Sequence, residues 1–128
     1  MGSRFKYAMA INCMDGRVQG PVMQWMKDRF NVDYVDVITE AGPIKPISES
    51  KYGTLIDSFK RRVDISITKH GSRILAVVGH HDCAGNPVNK DEQIFQIKAA
   101  MKNMGEWGFD VKIVGLYVDE KWLVSEIK

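Results

Sequence analysis

Short apolar runs alternate with longer stretches in which apolar residues recur at helical spacing. Residues 7–12 form the first run and read as a strand ending at Asn12. Pro21 suits the first position of a helix, whose apolar stripe is Val22, Trp25, Met26 and Phe30, with Asn31 as its stop. The β-branched-rich segment 34–39 predicts a second strand. Glu40-Ala41-Gly42-Pro43-Ile44-Lys45-Pro46 is read as a break in regular structure. Tyr52, Leu55, Ile56, Phe59 and Val63 continue a helical stripe to about Ile67, and Gly71 suits its C-terminal cap. Residues 74–78 predict a third strand. Asn89 with Glu92 three residues on marks the start of another helix, striped by Ile94, Ile97, Met101 and Met104 and ended near Gly105. Residues 111–118 predict a fourth strand, Asp119-Glu120-Lys121 a hairpin turn, and 122–127 a fifth strand.

Strands and helices that alternate in this way predict an α/β fold with a mainly parallel central sheet flanked by helices and right-handed crossovers. With strand order 2-1-3-4 and an antiparallel fifth strand, the order reverses between the first and third strands. Ligands of such sheets bind beyond the carboxyl ends of the strands at that reversal. The loops leaving those two strands are Cys13-Met14-Asp15-Gly16-Arg17 and Gly79-His80-His81-Asp82-Cys83-Ala84-Gly85. No repeat, linker or low-complexity tract interrupts the pattern, so residues 1–128 are expected to form one domain.

The 128 residues suffice for a hydrophobic core without covalent staples. A formal charge of +2, with basic residues scattered among acids, argues against nucleic acid as a partner. Lys60-Arg61-Arg62 reads as the solvated face of a helix. No signal peptide and no run of membrane-spanning length is seen, so a cytoplasmic protein with reduced thiols is expected. In that compartment the two cysteines are candidates for ligands, nucleophiles or packing residues rather than a disulfide.

Both cysteines lie in the two loops that the topology brings together. Cys13, His80 and Cys83 are a donor set suited to zinc, which takes thiolate and imidazole ligands in tetrahedral array and keeps one position open when it is catalytic. The competing readings are packing, since free cysteine is often simply buried, and a redox pair, which lacks the Cys-x-x-Cys arrangement. His81 is a rival ligand less naturally placed beside Cys83, and His70, near a helix end, reads as a favourable C-terminal charge or a surface group. Arg17 presents a fork able to grip Asp15 two residues away; the pair is either plain surface electrostatics or a device that orients Asp15 at the metal, which Asp15 can also ligate directly. Asp82 is a candidate loop cap or outer-shell acceptor.

Cys13-Met14-Asp15-Gly16-Arg17 together with His80-His81-Asp82-Cys83 resembles the paired signature of the β-class carbonic anhydrases, Cys-x-Asp-x-Arg after the first strand and His-x-x-Cys after the third. Glu40-Ala41-Gly42 stands where that family often has Asn-Ala-Gly, and Gly115-Leu116-Tyr117-Val118 with its hairpin resembles the closing strands. The resemblance implies a β-carbonic-anhydrase-like fold and zinc on Cys13, His80 and Cys83. It implies Asp15 and Arg17 as catalytic residues, Arg17 holding Asp15. The implied reaction is reversible hydration of carbon dioxide to bicarbonate, with zinc hydroxide as nucleophile. Family members generally form homodimers or larger homo-oligomers. The alternatives are the same fold and zinc acting on carbonyl sulfide or carbon disulfide, and a non-catalytic zinc-binding domain.

Overall fold

The computed structural model describes residues 4–128. Five strands form one sheet: β1 (Tyr7–Cys13), β2 (Tyr34–Glu40), β3 (Ile74–His80), β4 (Lys112–Val118) and β5 (Val124–Ile127). Four helices connect them: α1 (Gln19–Phe30), α2 (Ile44–Glu49), α3 (Gly53–His70) and α4 (Lys90–Gly105). The sheet order is β2-β1-β3-β4-β5, parallel except for the antiparallel β4–β5 pair, as the pattern predicts. No helix among the described residues is long and apolar enough to cross a membrane.

The alternation of strand side chains divides the core into two layers. Met9, Ile11, Leu75 and Val77 pack with Ile44, Ile47, Phe59, Val63, Ile97 and Met104, beneath α2, α3 and α4. Ala8, Ala10, Ala76 and Val78 face the other way and pack with Val22 and Met26 of α1. At Cys13 the alternation gives out, and that residue joins the α1 layer together with Cys83.

Several elements differ from the pattern reading. The segment taken as irregular contains α2, with Pro46 as its third residue; an N–H is not needed in a first helical turn, so proline fits there. The same reason lets α1 start at Gln19 with Pro21 inside its first turn rather than at its head. β5 begins at Val124, because Trp122 sits in the turn with φ of +62°. Tyr52 lies outside α3, exposed and in a left-handed conformation. Gly71 does cap α3 in the left-handed region, and the Asn89 side chain does accept from the Glu92 N–H at the head of α4.

Candidate metal centre

β1 and β3 lie side by side, paired from Met9 with Leu75 to Ile11 with Val77. Their carboxyl ends therefore deliver Cys13 and His80 to the same edge of the sheet, at the reversal of strand order. Each loop is tied at its root by one more ladder bond: Met14 N–H donates to the Glu40 carbonyl at 3.0 Å, and His81 N–H to the Val118 carbonyl at 2.8 Å. The first loop is then folded back by Gln19, whose side-chain amide donates to the carbonyls of Cys13 (2.6 Å) and Asp15 (3.0 Å).

The second loop is seated from below and from the side. Gly85 lies so close to the chain after β2 that an added Cβ would stand 2.6 Å from the Ala41 carbonyl carbon, and one on Gly42 (φ +56°) would stand 2.8 Å from Gly85. Beneath, the buried Asn86 donates to Gln96 at 2.6 Å, while Gln93 donates to the Asn86 carbonyl at 3.1 Å. The helical stripe of α4 gave no hint of Gln93 and Gln96; two glutamines on its buried face were the available signal.

These supports bring Cys13, His80 and Cys83 together, with their ligand atoms all within 4.8 Å of one another and all three side chains buried. The two sulfurs are 3.8 Å apart and unbonded as a disulfide. Two thiolates at about 2.3 Å from one tetrahedral zinc would stand about 3.8 Å apart, so the spacing fits such an ion. His80 Nδ1 points to the His81 carbonyl at 2.7 Å, which assigns its proton there and leaves Nε2 as the free lone pair. Nε2 is buried and, among the described residues, has no hydrogen-bond partner of good geometry. An orphaned imidazole nitrogen beside two thiols is costly unless a further group completes it.

The electrostatics are those of a site short of positive charge. The Cys13 thiol is drawn well below its ordinary range, chiefly by the contact with Cys83, with burial opposing and His80 and backbone N–H groups assisting. The Cys83 thiol is pushed up by that same contact and by burial. For His80, burial works against the charged ring, but the contact with Cys13, the His81 carbonyl and the charges of Cys13 and Asp15 outweigh it and raise its pKa.

Asp15 is not among the three clustered residues. Arg17 takes both of its oxygens, from Nη2 to Oδ2 at 2.7 Å and from Nε to Oδ1 at 3.1 Å, and the Arg17 N–H adds a bond to Oδ1 at 2.9 Å. Those bonds hold the Asp15 carboxyl down to about 2, so it is ionised at neutral pH. Arg17 also reaches across to the second loop, donating to Asp82 Oδ2 at 3.3 Å and to the Asp82 carbonyl at 3.1 Å. His81 is exposed, and its backbone rather than its ring serves the cluster. His70 lies in the last turn of α3 and stays partly exposed, but it also has partners the sequence did not show: it pairs with Asp36 at 2.6 Å and stacks on Tyr7, at the opposite end of the strands from the cysteines.

A family model described as “Putative carbonic anhydrase” matches residues 3–128. The chain belongs to that carbonic anhydrase family. Its fold is that of the β-carbonic anhydrases: the carbonic anhydrase of Streptococcus mutans superposes with a TM-score of 0.61 at 17% identity, covering 99% of this chain and 84% of that one. The β-carbonic anhydrase isoform I of Trichomonas vaginalis gives 0.63 at 16% identity, with 99% and 86% covered. A carbon disulfide hydrolase in its apo form has the same fold, with a TM-score of 0.54 at 13% identity and coverage of 100% and 81%. Comparison with curated protein sequences found no match. Membership of the family implies a small-molecule substrate.

Proposed function

We propose that this chain is a cytoplasmic zinc enzyme, one domain over residues 1–128, that catalyses the reversible hydration of carbon dioxide as a homodimer or larger homo-oligomer. The observation that carries the reading is the buried, unpartnered Nε2 of His80 among two thiols whose 3.8 Å separation suits a single tetrahedral ion. Cys13, Cys83 and His80 Nε2 would hold the zinc, leaving a fourth position open. Bound there, zinc supplies the Lewis acidity that makes hydroxide available from water near neutral pH.

The remaining work falls to the chain. The His81 carbonyl fixes the His80 tautomer so that Nε2 keeps its lone pair. Asp15 is an acceptor at neutral pH because Arg17 keeps it ionised. In that state its carboxylate can take a hydrogen bond from the water to be activated, orienting the remaining lone pair toward carbon. Arg17 restrains Asp15 through a planar two-point grip that lysine cannot reproduce.

The test is stopped-flow measurement of carbon dioxide hydration by the zinc-loaded protein, with sulfide release from carbonyl sulfide and carbon disulfide followed in parallel. Hydration that disappears on chelation and returns with zinc is expected. Sulfide release without hydration would move the assignment to the sulfur substrates. A stoichiometric zinc protein inert toward all three would make the site a binding domain.

A further inference from the structure

The Arg17 guanidinium is held on a third side by a residue distant in sequence. Its Cζ lies 4.5 Å from the ring centroid of Trp122, over the indole face, while its edges serve Asp15 and Asp82. Trp122 belongs to the β4–β5 turn, and the turn is built to present it. Asp119 Oδ1 accepts from the N–H groups of Lys121 (2.9 Å) and Leu123 (3.0 Å). The Trp122 N–H donates to the Asp119 carbonyl at 2.9 Å, and the Asp119 N–H to the Leu123 carbonyl at 3.0 Å. Trp122 is thereby kept at φ +62°, a region a bulky side chain rarely occupies and holds only when its surroundings impose it. The strained residue is the one whose ring meets the arginine.

Asp15 has two possible cationic partners: the guanidinium of Arg17, or an ion at the cluster two residues back along its own loop. A carboxylate released by its arginine is a hard, anionic oxygen donor of a kind that zinc accepts. Whatever steadies Arg17 therefore decides which partner Asp15 keeps. Asp82 steadies one edge of the fork but is exposed, and its 3.3 Å contact is long for an ion pair. The indole adds a cation–π contact and covers one face of the guanidinium against water.

We propose that Trp122 is a positioning residue, whose indole face clamps Arg17 so that Asp15 stays paired to the arginine instead of binding an ion at the Cys13–His80–Cys83 cluster. The second half of this statement rests on the metal-centre reading above; the clamp itself does not.

The clamp is tested on metal-free protein by nuclear magnetic resonance, following hydrogen exchange of the Arg17 Nε–H, with the Leu123 amide as a reporter of the turn. Trp122→Leu keeps bulk but removes the aromatic face and is expected to speed Arg17 exchange about fivefold, with Leu123 unchanged. Trp122→Phe, which keeps a face, is expected to restore most of the protection. Equal Arg17 exchange in wild type and Trp122→Leu, or loss of Leu123 protection in both variants, would overturn the clamp. In cobalt-loaded protein, Trp122→Leu should shift the visible ligand-field bands, and adding Asp15→Asn should reverse the shift; bands identical to wild type would overturn the role at the ion. A wild-type protein that takes up no cobalt sinks the metal-centre reading alone, because the exchange result needs no metal. Should Trp122→Leu fail to fold, Trp122→Met carries both comparisons.

Discussion

The two ends of the sheet each gather histidine, aspartate and small polar side chains, and they differ in what is left unsatisfied. At the amino ends of the strands, Asp36 Oδ2 accepts from Ser66 at 2.7 Å and pairs with His70 at 2.6 Å, and Ser66 bonds Ser72 at 2.6 Å. The His70 ring stacks on Tyr7 at 4.2 Å between centroids. At the carboxyl ends, the buried His80 Nε2 makes no hydrogen bond of good geometry among the described residues, and two thiols lie 3.8 Å apart. A closed network of this kind fastens α3 to the sheet; a buried set of thiol and imidazole donors could hold a metal ion. Residue types alone would not separate the two regions, because each holds a histidine and an aspartate.

The comparison breaks most sharply at the cysteines. Cys83→Ser, which keeps the shape but removes the soft ligand, is expected to weaken zinc binding by at least about 100-fold and to abolish activity that depends on it, read by metal titration and stopped-flow assay. A smaller effect follows from the raised Cys83 thiol. Since the Cys83 thiol is pushed above its ordinary range, a cation that takes both sulfurs must displace its proton; affinity then rises with pH, about tenfold per unit for each proton released, and falls as the solution is acidified. Zinc titrations in several buffers across the neutral range would show that slope, and a flat profile would mean that the sulfurs are not the ligands. The least effect is expected at the other end, where Ser66→Ala should cost about 1–2 kcal/mol of stability in denaturant unfolding and leave zinc affinity unchanged.

Much of the fold could be read because β1 and β3 are nearly continuous apolar runs and its helix ends carry caps with a mechanism, Gly71 in the left-handed region and Asn89 bonding back to Glu92. Given strand order 2-1-3-4, which the sheet has, the meeting of the Cys13 and His80 loops follows from the reversal of order between β1 and β3, which depends on topology rather than on particular side chains. Features that depend on one residue's tertiary partner were not legible. Helix α2 hides behind Pro43 and Pro46, and it forms because prolines at the head of a helix forgo no hydrogen bond. His70 finds Asp36 34 residues away, and Trp122 meets Arg17 across the turn that follows β4. Gln93 and Gln96 interrupt a buried helical face to bond the carbonyl and the side chain of Asn86, a partner the two polar positions signal but do not name before the loop is placed on α4.

Two sulfurs 70 residues apart in the chain and one imidazole stand close enough to grip one ion. X-ray absorption spectroscopy of the protein loaded with one equivalent of zinc tests it directly. Two sulfur scatterers at about 2.3 Å, one imidazole and one further light atom are expected. A first shell without sulfur, or with sulfur and no imidazole, would contradict the account.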